Sequence, residues 1–213
     1  MKRNFVIISL VISILSFVVI LVSYFGISRL ICLRHYSIDH YIEKYHKLDK
    51  DNQRVVISMT VFDPDTSKLK PVINSLLDQT NRVDQISLNI PSNKSIDIPE
   101  EYTKVVNVFK LGKCTNDSDG LKATIKREHD ADTKIIYASA SKIYGKDLVE
   151  NIVETSNKHP GNIIHIENPP SHLTINDAIL VKPDFYKFVD KGFKIIPDDI
   201  KIIKTNVDYT FNV

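Results

Sequence analysis

Residues Phe5 to Phe25 form an unbroken uncharged run, FVIISLVISILSFVVILVSYF, whose only polar side chains are Ser9, Ser13, Ser16, Ser23 and Tyr24. Wound as a helix at ~1.5 Å per residue, such a run reaches about 30 Å, the thickness of a bilayer's hydrocarbon core. Serine hydroxyls can bond the helix's own carbonyls, and a tyrosine at the end suits the lipid interface. The pattern predicts a transmembrane helix over residues 5–27 behind a short tail, 1–4. A cleaved signal peptide is the alternative, but its apolar core is usually ~7–15 residues and ends in a small-residue cleavage site, neither of which stands out.

Beyond the anchor the pattern turns amphipathic. Residues 34–50, RHYSIDHYIEKYHKLDK, are polar with interspersed tyrosines, and residues 28–50 read as a short stem. From residue 51 to 213 short apolar runs alternate with helical periodicities. Val55 to Thr60 is β-branched and apolar, as a buried parallel strand requires. Leu69, Val72, Ile73, Leu76 and Leu77 then recur on one helical face, with Pro71 placed in the first turn. Asp84 to Ile90 alternates as a strand and stops at Pro91. Further strands are predicted at Val105–Phe109, Lys134–Ala138, Ile163–Ile166 and Ala178–Val181. Helices are predicted at Leu121–Glu128, Asp147–Asn157 and Pro183–Val189. Alternating strands and helices imply a Rossmann-like, mostly parallel α/β sheet covered on both faces. Ligands of such sheets sit at the carboxyl ends of the strands, which singles out Thr60–Asp65, Cys114–Gly120 and Ser139–Tyr144.

Charge narrows the classes of partner. The whole chain carries a net +2, but residues 1–50 hold seven Lys/Arg against three Asp/Glu, so the remainder is slightly acidic. No basic stripe with interleaved aromatics appears, which argues against nucleic acid. Lys2 and Arg3 before the apolar run are balanced by Arg29 and Arg34 after it, so the positive-inside rule does not decide orientation. Two glycosylation sequons, at Asn93 and Asn116, favour a luminal or extracellular domain. Cys32 at the membrane boundary and Cys114 in a polar loop do not suggest a disulfide framework. His35, His40 and His46 lack the spacing of a metal site.

Three segments in order resemble the small GT-A-type (family 2-like) glycosyltransferases, which bind nucleotide sugars. They are ISMTVFDPDTSKLKPVINSLLDQTNRVDQISLNIP (57–91), DGLKATIKREHDADTKIIYASASKIYGKDLVENIV (119–153) and NDAILVKPDFYKF (176–188). The resemblance implies a GT-A nucleotide-diphospho-sugar transferase fold, a nucleotide sugar as donor and a glycan acceptor. By that resemblance Thr60, Asp63, Asp65, Asp119, Lys122, Ser139 and Ser141 contact the donor, with Lys122 matched to a family lysine. The family's metal-binding DxD, which holds Mg²⁺ or Mn²⁺ on the diphosphate, is replaced by Ser139-Ala140-Ser141, and serine hydroxyls are poor substitutes for carboxylates at a hard cation. No metal ligand and no resident cofactor is therefore assigned. Tyr144 keeps a family tyrosine, while Gly145 replaces a proline.

Each of these residues also has a plainer reading. Asp63 and Asp65 suit a turn and a helix cap, Asp117 and Asp119 an acidic Gly-containing turn, and Asp147 a helix start. Asp198 and Asp199 follow Pro197 and are candidates for the acceptor-activating base, or one more loop. His165 and His172 read as structural. Three functions remain open: a membrane-anchored glycosyltransferase working without a DxD-bound metal, a catalytically inactive binding or assembly protein of the same fold, and an unrelated single-pass membrane protein.

Overall fold

The computed structural model describes residues 2–24, 27–48, 53–112, 114–166, 178–186, 202–205 and 211–212. It separates into two units, residues 1–36 and 37–213. The first holds helix α1, Lys2–Tyr24, and helix α2, Ile27–His35. On α1 the side chains are described from residue 7 to residue 20, and all of them are exposed. Among the described residues no helix is long and apolar enough to cross a membrane. The transmembrane span expected over residues 5–27 is therefore not shown by these residues.

The second unit opens with α3, Ile38–His46, inside the stretch expected to be a stem. Ser37 caps it by accepting the His40 N–H at 3.3 Å. Tyr41, Ile42 and Tyr45 are buried, and the Tyr45 hydroxyl donates to the Val83 carbonyl at 2.5 Å. The Arg82 guanidinium lies 4.6 Å from the Tyr45 ring centroid, and Lys44 pairs with Asp78. The helix packs against α4, Thr66–Leu77, and against a 3-10 helix, Glu100–Lys104. Burying three such side chains contributes on the order of 5 kcal/mol, at ~1.5–3 each.

The central sheet has seven strands. In chain order they are β1, Val55–Thr60; β2, Gln85–Pro91; β3, Val106–Leu111; β4, Lys134–Tyr137; then, after a short β5 at Lys142–Ile143, β6, Ile163–Ile166; β7, Ile179–Val181; and β8, Ile202–Thr205. Their spatial order is β3-β2-β1-β4-β7-β6-β8. β1 to β4 run parallel, β7 is antiparallel to both its neighbours, and β6 and β8 are parallel. β5 pairs antiparallel with β9, Phe211–Asn212. This is the mostly parallel α/β sheet that the alternation of apolar runs implies. Helices α4, α5 (Asp117–Arg127) and α6 (Leu148–Lys158) connect the parallel strands.

Three local readings are corrected. Helix α4 begins at Thr66, so Pro71 lies in its second turn rather than its first. Helix α5 begins four residues before the predicted Leu121, because Asn116 and Asp119 close a reciprocal capping box. The 3-10 helix Pro183–Phe185 stands where the last helix was expected.

Candidate functional site

The chain leaves β1 for β2 and β3 on one side, then returns to β4 on the other side of β1. Beyond the carboxyl ends of β1 and β4 lies the switch point where open α/β sheets hold their ligands. Three segments meet there: the turn after Thr60, the start of α5, and the loop after Tyr137.

Helix α5 is seated on the sheet by polar contacts. The Ser58 and Thr124 hydroxyls are 2.9 Å apart, and the Asn89 amide donates to Thr124 Oγ1 at 3.1 Å. Arg127 donates to Asn89 Oδ1 at 2.7 Å and lies 3.8 Å from the Phe109 ring centroid. Burial lowers the Arg127 pKa, yet its bonds to two neutral oxygens and the ring hold it in place. At the upper end Thr60 donates through Oγ1 to the Asp117 carbonyl at 2.9 Å. Gly120 permits this approach: a Cβ there would stand 2.2 Å from Thr60 Oγ1 and 3.1 Å from Asn89 Cβ. Thr60 is therefore a buried seat for α5, 3% exposed.

The acidic candidates divide. Asp65 caps α4 by accepting the Ser67 N–H at 2.9 Å and the Ser67 hydroxyl at 2.7 Å, which hold its pKa down. Asp63 is exposed, with Lys68 Nζ 3.9 Å away and 3.8 Å from Asp65. Burial pushes Asp119 up, but the Thr115 N–H at 2.8 Å, the Thr115 hydroxyl at 3.0 Å, the Asn116 N–H and the charge of Lys122 outweigh it, leaving its carboxyl below the ordinary range. Asp117 is the opposite case. Burial raises its pKa and the Tyr137 hydroxyl beside it only partly offsets this. Tyr137 is fully buried, its hydroxyl closes no regular hydrogen bond among the described residues, and burial followed by the Asp117 charge drives its pKa upward. Sequence reasoning missed Tyr137, since the end of an apolar strand carries no local sign of a polar role.

At the positions matched to DxD, the Ser139 and Ser141 hydroxyls are 2.9 Å apart and the Ser141 N–H donates to Ser139 Oγ at 3.3 Å. The Ser139 N–H donates to the Tyr144 hydroxyl at 2.6 Å. Among the described residues no group of three or more His, Cys, Asp or Glu could hold a metal ion. Among the described residues, those at and beside the positions matched to DxD do not fit a hard divalent cation: the serines are uncharged and bonded to each other, and Asp65 and Asp119 are taken up by backbone N–H groups. Asp198, Asp199 and His172 lie outside the described residues, as does the side chain of His165. Asn93 is exposed in a turn closed by the Lys94 N–H on the Pro91 carbonyl at 2.9 Å, whereas Asn116 Oδ1 caps α5. Both cysteines are free, and burial raises the Cys114 pKa.

No family model matches this chain, and neither does any curated protein. Solved structures do match. A 4-diphosphocytidyl-2C-methyl-D-erythritol synthase superposes with a TM-score of 0.53 at 7% identity, covering 74% of this chain and 90% of that one. The 2-C-methyl-D-erythritol 4-phosphate cytidylyltransferase of Francisella tularensis gives 0.52 at 11% identity, with coverage of 76% and 94%. A mannosyltransferase from Pyrobaculum calidifontis, in complex with GDP-Man and Mn²⁺, gives 0.50 at 8% identity over 79% of this chain. The domain shares the fold of these structures, the GT-A type. This GT-A-type domain spans 63% of the mannosyltransferase's length, and at such identities the likeness is one of fold alone.

Proposed function

We propose that this chain is a membrane-anchored, glycosyltransferase-like protein whose GT-A-type domain takes a nucleotide sugar at the β1/β4 switch point without a DxD-held metal. The observation that carries this reading is the Ser139–Ser141 pair, two neutral hydroxyls closed on each other where a metal-dependent site needs carboxylates. Without a cation, the diphosphate's charge falls to fixed donors and side-chain cations, and Lys122 on α5 is the cation the family resemblance points to. Thr60, Asp63, Ser139 and Ser141 belong to the segments that meet at the switch point. The anchor is supported by the uncharged run from Phe5 to Phe25 and by the exposed apolar side chains of α1, Ile7, Leu10, Ile14 and Phe17 among them. A luminal or extracellular domain is supported by the exposed sequon at Asn93. Resistance of the protein to alkaline extraction from membranes, and endoglycosidase sensitivity lost in Asn93→Gln, test these two points.

A second reading, a non-catalytic binding or assembly protein of the same fold, is favoured by one observation: Asp65 and Asp119 both serve as caps. Calorimetry of the 213-residue chain in detergent, against UDP-N-acetylglucosamine and GDP-mannose with Mn²⁺ and with chelator, separates the readings when paired with a radiolabelled transfer assay. Binding and transfer that both survive the chelator support the first reading. Binding without transfer supports the second. Binding that requires Mn²⁺ refutes the metal-free site, and no binding refutes the nucleotide-sugar reading altogether.

A further inference from the structure

The carboxyl-terminal end of α4 reaches across to the loop that follows β4 through a set of mostly buried bonds, which also satisfy the Ser75 carbonyl in the last turn of α4 and the Val149 N–H in the first turn of α6. Gln79 is 2% exposed. Its Nε2 donates to the Ser75 carbonyl at 2.6 Å and to the Gly145 carbonyl at 2.7 Å, and its Oε1 accepts the Val149 N–H at 3.1 Å. One amide thus has both donors and an acceptor engaged, two of the three across 66 and 70 residues of sequence. The flanking residues act in the same direction. Ser75 Oγ accepts the Tyr144 N–H at 3.2 Å, and the Thr80 N–H donates to the Lys146 carbonyl at 2.8 Å. The Thr80 hydroxyl bonds Glu150 at 2.7 Å. Tyr144, fixed by Ser75, in turn holds Ser139 by accepting its N–H.

The bonds run in series. Ser139 and Ser141 bond each other, Tyr144 and, through the Ser139 carbonyl, the Lys142 N–H, and Ala138 just before them is tied to β1 by its N–H on the Ser58 carbonyl at 2.9 Å; the far side of the loop is set through Tyr144 and Gly145. Those two residues are set by Ser75 and Gln79. In a metal-dependent site the cation itself would draw the loop and the diphosphate together. Here backbone hydrogen bonds from a rigid helix end are available for the same task, and a pre-set loop avoids the ordering cost that a free one incurs on binding.

We propose that Gln79, with Ser75 and Thr80, is a positioning residue that sets the 139–146 loop for the sugar-diphosphate end of a nucleotide sugar. The inference rests on the nucleotide-sugar reading above and adds to it the residues that set the loop.

The test compares two ligand sizes on the full chain. Gln79→Leu removes all three side-chain bonds at nearly constant volume. Ser75→Ala, a milder change, removes the acceptor for the Tyr144 N–H together with the hydroxyl's own bond to the Val72 carbonyl. Affinities for UDP-N-acetylglucosamine and GDP-mannose are measured beside those for UMP and GMP, together with amide hydrogen exchange over residues 139–146. In Gln79→Leu the sugar nucleotide that binds the unaltered protein should lose roughly tenfold in affinity while the corresponding monophosphate changes by less than about twofold. Ser75→Ala should lose about threefold with the same selectivity, and exchange in the loop should quicken in both. An equal loss for both ligand sizes, or no loss for either, overturns the positioning role and leaves nucleotide-sugar binding standing. Failure of the unaltered protein to bind any of the four overturns both.

Discussion

Replacing Gly120 by alanine should weaken the fold more than any other single-methyl addition on α5, and the contact at Thr60 lets the cost be worked out. The new Cβ would lie 2.2 Å from Thr60 Oγ1, 3.1 Å from Asn89 Cβ and 3.2 Å from Thr60 Cβ. Ordinary carbon contacts are ~3.5 Å or longer, so the first of these is severe and the other two are tight. Rotating Thr60 about χ1 moves Oγ1 away but breaks its bond to the Asp117 carbonyl, and leaves both Cβ contacts unchanged. Helix α5 must therefore also lift. Overpacking of this kind costs about 1–3 kcal/mol, and the lost hydrogen bond adds about 0.5–1.5. Alanine returns about 1 kcal/mol of helix propensity. The net expectation is a loss of about 0.5–3.5 kcal/mol, read as a lower urea midpoint at unchanged m-value. Thr60→Ala removes the oxygen, so Gly120→Ala should cost at least about 1 kcal/mol less in that background than alone. A Gly120→Ala protein as stable as the parent, or a strictly additive double variant, would refute the close-approach argument.

Asp117 and Asp119, two residues apart, should respond to pH with opposite signs. Asp119 has a lowered folded pKa, so its stabilisation is present above the unfolded aspartate value of ~3.9 and lost as pH falls through the folded one; Asp119→Asn should therefore be destabilised at pH 7 and converge on the parent in acid. Asp117 has a raised folded pKa, so ionisation costs stability above it; Asp117→Asn should be the more stable protein at pH 7, with the gain fading as pH falls below the folded pKa. Denaturant midpoints across pH 3 to 7.5, on the order of the range these carboxylates titrate in, check both, and slopes of equal sign would contradict the assignment. Tyr137→Phe deletes a buried hydroxyl that has no geometric hydrogen-bond partner among the described residues and only partly offsets the burial of Asp117, so stability should fall by no more than about 0.5 kcal/mol; a loss above about 1.5 kcal/mol would show a partner of full strength.

The fold was legible wherever burial was dictated by local pattern. β1 is six apolar or small residues buried on both faces, and the stripe from Leu69 to Leu77 lies under the helix it predicts. β2 was legible from its alternation, although its polar positions are buried as well: Ser87 and Asn89 are enclosed, and Asn89 is satisfied by Ser58, Thr124 and Arg127 on other elements. The start of α5 was hidden because Asp-Ser-Asp-Gly reads locally as a turn, and the reason for a glycine inside that helix is a threonine 60 residues earlier. In the site, Ser139 and Ser141 were found through family resemblance, and the lack of carboxylates there was visible in the residues themselves. Gln79 stood in a phrase already singled out, SLLDQT, yet its role depends on Gly145 and Val149, which no local pattern connects to it.

The packing of α3 decides where this protein can be cut. A polypeptide begun at residue 51, the start of the domain by sequence pattern, would strip Tyr41, Ile42 and Tyr45 from the surface they cover. It would also leave Asp78, with only 6% of its side chain exposed, without Lys44. The foreseeable result is a sticky, poorly refolding fragment rather than a soluble domain. A polypeptide begun at Ser37 keeps the helix together with its cap, and limited proteolysis of the intact chain should nick before Ser37 well ahead of any site within residues 38–46.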